Sequence, residues 1–85
     1  IMDTNLSAEY LEDIRGHILK TNGVNRVSQV RGRQSGRQIV LDIIMQLDPN
    51  ISVLEAKKIN QTVKAYLRSE DKHIGKIAIQ VVPAE

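Results

Sequence analysis

The segment Arg37 to Leu47 carries an apolar residue at every odd position from Ile39 onward: Ile39, Leu41, Ile43, Met45 and Leu47. Its even positions, Val40, Asp42, Ile44 and Gln46, are mixed. A period of two belongs to a β-strand with one face on a core and the other turned away. Ile74 to Val82 repeats it, with Ile77, Ile79 and Val81 on one side and Ala78, Gln80 and Val82 on the other. A third strand is expected from Val24 to Gly32, joined to the first by a hairpin turn at Gln34-Ser35-Gly36. Two stretches follow the helical period instead. Leu11, Ile14 and Ile18 share one face of a helix from Ala8 to Thr21, with Ser7 as N-cap and Asn22-Gly23 as a left-handed stop. Ala56, Ile59, Val63 and Leu67 do the same in a second helix that ends near Ser69. Ser52-Val53-Leu54-Glu55 opens that helix as a capping box, and Asp48-Pro49-Asn50 closes the strand before it.

The order is therefore helix, strand, strand, helix, strand. A strand, a helix and a further strand make a right-handed parallel crossover. The hairpin adds an antiparallel neighbour. The expected class is α+β: a three-stranded mixed sheet with two helices on one face. The other sheet face is then bare, and it carries Val40, Asp42, Ile44, Ala78, Gln80 and Val82. A bare, partly apolar sheet face on a small domain reads as a contact surface.

Composition sharpens this. The chain has 85 residues, enough for one domain. A domain of that size buries only about 60% of its unfolded surface, so a partner would add buried area where it is scarce. There is no Trp and no Phe, and Tyr10 and Tyr66 are the sole aromatics, so the core must be aliphatic. Absence of Cys removes disulfides, thiolate nucleophiles and Cys-based zinc sites, and fits a reducing compartment. With 12 basic and 10 acidic residues the net charge is +2, too small to argue for a nucleic-acid partner. No run of apolar residues is long enough to span a membrane, and no signal peptide opens the chain. Ile1 is not an initiator, so the sequence reads as a segment of a longer protein. Ser7, Ser28, Ser35, Ser52 and Ser69 have no histidine near them in sequence, and no glycine-rich phosphate loop is present. Enzyme activity is not expected.

Several short motifs, taken in order, resemble the C-terminal cytoplasmic domain of cation diffusion facilitator (cation efflux) transporters. They are Ile1-Met2-Asp3, Asn22-Gly23-Val24, Val30-Arg31-Gly32-Arg33-Gln34-Ser35-Gly36, Leu41-Asp42, Asp48-Pro49, Ser52-Val53-Leu54-Glu55-Ala56 and Ile79-Gln80-Val81-Val82-Pro83. The resemblance covers nearly the whole chain. It implies a ferredoxin-like αββαβ domain over residues 7–85, with residues 1–6 as the linker from the last membrane helix. It also implies a homodimer, attached to its own transmembrane domain on the cytoplasmic face of the cell membrane. The implied role is to regulate and dimerise a divalent metal/proton antiporter, with zinc, manganese or iron as cargo.

The same resemblance locates departures. Members commonly carry histidines that this chain replaces with Ile44, Lys57 and Gln80, with Val82 just before Pro83 and Ser28 in the strand before the hairpin. Ile and Val offer no lone pair to zinc, and a protonated Lys repels it. No metal ligands and no resident cofactor are therefore assigned. The expected dimer contacts are Val40, Asp42, Ile44, Gln80 and Val82, with aliphatic packing where relatives bridge their subunits by metal.

Other signals are weaker. His17 and His73, the latter beside Glu70 and Asp71, read first as solvated histidines and second as ligands. Asp42 is the best single carboxylate for a hard cation on the bare face. Asp3 matches an acid that pairs with a basic residue of a membrane helix in relatives. Arg26, Arg31, Arg33 and Arg37 make the hairpin basic, which fits ion pairs in a dimer or nearby anionic headgroups. RNA binding on an open sheet normally needs aromatic stacking platforms, and these strands have none, so no nucleic-acid partner is expected. A free-standing ligand-sensing module and an RNA-binding module are the rival readings.

Overall fold

The alternating apolar row of the hairpin strand becomes the floor of the molecule's core. The computed structural model describes residues 4–83. Its elements are β1 (Thr4–Asn5), α1 (Ala8–Leu19), β2 (Val24–Ser35), β3 (Gln38–Leu47), α2 (Val53–Glu70) and β4 (Ile74–Val82). The sheet order is β1-β2-β3-β4. β1 and β2 pair antiparallel, as do β2 and β3, whereas β3 and β4 are parallel. The α+β class, the mixed three-stranded sheet of β2 to β4 and both helices are as expected. The two-residue β1 is additional. It lies within the stretch read as a linker, and two residues show no period to read.

Ile39, Leu41, Ile43, Met45 and Leu47 are all buried, together with Ile14 and Ile18 of α1 and Val63 and Leu67 of α2. Burying each such aliphatic side chain contributes on the order of 1.5–3 kcal/mol. α1 packs on β2, α2 on β4, and the helices touch each other. Ser7 and Ser52 cap them, their hydroxyls accepting the backbone N–H of Tyr10 and Glu55 at 3.1 Å each.

The hairpin differs from expectation by one step. β2 continues to Ser35, which pairs with Gln38, so Gly36 and Arg37 form a two-residue loop. Gly36 takes a φ of 62°, the left-handed value such loops require at their first position.

Val24, Val27 and Val30 are spaced by three, which strict alternation would send to opposite faces. All three nevertheless meet the core, because β2 breaks register between Val24 and Arg26 and again between Val27 and Gln29. Ile74 and Ile77 are reconciled in the same way by a break on β4. On each of these two strands a helix supplies an arginine beside a break. Arg15 of α1 donates to the Val27 carbonyl. Arg68 of α2 donates twice to the Gly75 carbonyl, at 2.9 and 3.3 Å.

Gly23, expected as the stop of α1, has a φ of 95°, and a Cβ there would sit 2.5 Å from Ile59 Cδ1. Gly36 is equally left-handed but has nothing within 4 Å of that position. Gly36→Ala is expected to cost about 1 kcal/mol and Gly23→Ala about 1–2 kcal/mol, since in the second the Ile59 tip must also turn aside. Urea titration of the two variants checks the order, and Ile59→Val in the Gly23→Ala background recovers part of the loss.

Candidate functional site

The face of the sheet away from the helices is built row by row from the strand register. Arg33 of β2 lies opposite Val40 of β3. Arg31, Asp42 and Ala78 form the next row across β2, β3 and β4. Gln29, Ile44 and Gln80 form the third, and Arg26, Gln46 and Val82 the fourth. Four of the five residues expected at a contact therefore do lie together on one accessible surface: Asp42, Ile44, Gln80 and Val82. Val40 does not remain available. It is only 7% exposed, yet it stands apart from the core under the helices. A short β-branched side chain beside the long Arg33 is readily shielded by the arginine stem. On the helix side, burial fades along β4 from Ile77 through Ile79 to Val81, which is 41% exposed at the sheet edge.

Arg33 Nη1 and Asp42 Oδ2 are 4.0 Å apart, with both side chains about half exposed. Such a pair contributes little in water. Ser28, at one β2 break, donates its hydroxyl to the Ile44 carbonyl at 3.3 Å, which ties that break to the centre of the face. Asp3 lies outside the described residues.

The two histidines are kept off this face. The His17 ring meets Tyr66 edge-on, with centroids 5.4 Å apart and planes at 83°. Its Nδ1 is 3.3 Å from the Tyr66 hydroxyl. It is a half-buried packing residue rather than the solvated histidine first expected. His73 stays exposed and turns toward Asp71, whose Oδ1 accepts the His73 backbone N–H at 2.9 Å and lies 3.1 Å from Nδ1. The Tyr10 hydroxyl donates to Asp71 Oδ2 at 2.8 Å. Glu70 is exposed, and no three His, Asp or Glu side chains converge among the described residues. Sequence reading missed the bridge from Tyr10 to Asp71, because nothing local couples positions so far apart.

That bridge perturbs both groups. The His73 backbone N–H, and then the Tyr10 hydroxyl, hold the Asp71 carboxyl below its usual range. Burial, and then the hydrogen bond to Asp71, push the Tyr10 phenol well above its own.

The fold defines a class: a two-helix α+β domain with one bare sheet face. The family model described as "Cation efflux protein, cytoplasmic domain" matches residues 6–84, and the chain belongs to that family. The Arabidopsis thaliana protein called Metal tolerance protein C1 is 30% identical over 84 residues, 99% of this chain and 18% of that protein. Magnetosome protein MamB of Paramagnetospirillum magneticum is 26% identical over 84 residues, 99% of this chain and 28% of its own length. The chain thus spans less than a third of these curated relatives. A solved MamM CTD variant in a nickel form is 26% identical, with a TM-score of 0.81 over 91% of this chain and 99% of that one.

The Asp71 shift sets a pH dependence. A carboxylate whose folded pKa is depressed stabilises the fold above its unfolded value, near pH 4, and loses that contribution as pH falls through the lower folded value. Thermal melts from about pH 5 to pH 2 are expected to fall more steeply for the native chain than for Asp71→Asn. The raised Tyr10 pKa acts at the other end, where stability drains away as pH climbs above about 10. Tyr10→Phe is expected to flatten that limb.

Proposed function

We propose that this chain is the regulatory and dimerisation domain of a divalent cation/proton antiporter that exports zinc, manganese or iron, and that it is not itself an enzyme. Family membership over residues 6–84 supports the transporter context. The observation that carries the dimer is the bare sheet face, on which Ile44 and Val82 stay accessible beside Gln80 and Asp42. The aliphatic pair substitutes packing for the metal bridge implied by the family resemblance. On this reading the domain binds no metal at these positions, and the metal is cargo carried by membrane helices outside this chain. No helix among the described residues is long and apolar enough to cross a membrane.

Sedimentation velocity with and without zinc or manganese tests this. Dimers are expected without metal, and Ile44→Asp with Val82→Asp is expected to weaken them by at least about 100-fold, as two buried apolar contacts are replaced by unpaired charges. Monomers that associate only when metal is added would refute the packing reading. So would stoichiometric micromolar zinc binding by calorimetry that Gln80→Ala abolishes.

A further inference from the structure

A second concave surface lies on the helix side, remote from the bare sheet face. A cleft of about 520 Å³ opens between the end of α1 and the middle of α2. Lys20 and Asn22 line it from the α1–β2 turn, and Lys58, Ile59, Thr62 and Tyr66 from α2. Two lysines line this cleft and no acidic residue does. Among the described residues neither lysine has an ion pair. α1 ends here, and a helix C-terminus carries partial negative charge. The carbonyls of His17 and Ile18 are occupied, however, by the backbone N–H groups of Lys20 and Thr21 at 3.3 and 3.0 Å. The lysines therefore set the sign of the cleft.

Its floor is apolar and braced from behind. Ile59 packs against Gly23, its Cδ1 2.5 Å from where a Cβ on that glycine would sit. Tyr66 is held edge-on by His17. Cations above a hydrophobic floor, with an amide and a hydroxyl at the rim, match a small organic anion: a phosphate or carboxylate on a compact aromatic or aliphatic body. We infer that this cleft is a binding site for such an anion, which would clamp α1 to α2. The ammoniums of Lys20 and Lys58 take the anionic group, Asn22 and Thr62 complete its hydrogen bonds, and the body rests on Ile59 and Tyr66.

A phosphate could also come from a lipid headgroup. Residues 4 and 5 pair with Gln34 and Arg33 at the hairpin end of the sheet, whereas the cleft lies at the far end of α1. A membrane segment joined ahead of residue 4 would leave the cleft facing away from the bilayer, which favours a free solute. The assignment does not rest on the dimer reading, since none of the cleft residues lies on the bare sheet face.

Phenyl phosphate is the probe, followed by two-dimensional amide NMR and calorimetry on the 85-residue chain. Saturable binding is expected, with shifts concentrated at Thr21, Asn22, Thr62 and Tyr66. Phenol and inorganic phosphate, each carrying half the recognition, are expected to bind more weakly. Lys20→Gln with Lys58→Gln is expected to weaken phenyl phosphate at least about tenfold, while the unliganded thermal midpoint falls by no more than a few degrees, the cost of losing the Lys20 cation at the α1 C-terminus. Four results would each overturn the site: no saturation by about 10 mM, equal affinity in the double variant, shifts centred elsewhere, or binding only to phosphatidylglycerol vesicles.

Discussion

Five aliphatic side chains on one face of β3, pressed under two helices, are the largest share that any one element brings to the core, and the rest of the fold is arranged around them. With no Phe or Trp to supply bulk, each neighbouring strand must bring its own aliphatic residues to that face. β2 and β4 do so although their apolar residues are spaced by three. The register breaks at Val24/Arg26, Val27/Gln29 and Ile39/Leu41 are the geometric outcome. A break leaves backbone groups without their ladder partners, and such groups are costly when covered. Arg15 and Arg68 meet that demand, one from each helix. These two long side chains therefore help to join the helices to the sheet. They also blunt strands whose free edges would otherwise invite another chain.

One-sided packing leaves one face of the sheet open. Because both helices sit on the same side, no helix among the described residues covers the second face of β3 and β4, where Ile44 and Val82 lie. Its charged groups lie mainly on β2, its apolar ones on β3 and β4. Asp42 alone sits among the arginines, held near Arg33 by an exposed pair too weak to fix it rigidly.

The bare face was legible from alternation alone, because side-chain direction in a strand is a local property. Asp42, Ile44, Gln80 and Val82 fall together for that reason. Val40 obeyed the same alternation yet is buried, since exposure depends on the neighbouring strand's side chains as well as on direction. His17 and His73 were visible as residue types, but their partners were not. His17 meets Tyr66 from the other helix. Asp71 meets Tyr10 at the start of the chain and so links α1 to the α2–β4 turn.

The amino-acid order alone set the types and order of the five main elements, both serine caps and the apolar side of β3. Each of those follows from forces acting within a turn or two of chain. Tertiary structure alone decided the β2 and β4 register breaks, the added edge strand β1, the arginine caps, the burial of Val40 and the lysine-lined cleft. These arise where residues remote in sequence compete for the same space or satisfy one another's hydrogen bonds. Such contacts exist only once the helices have closed over the sheet.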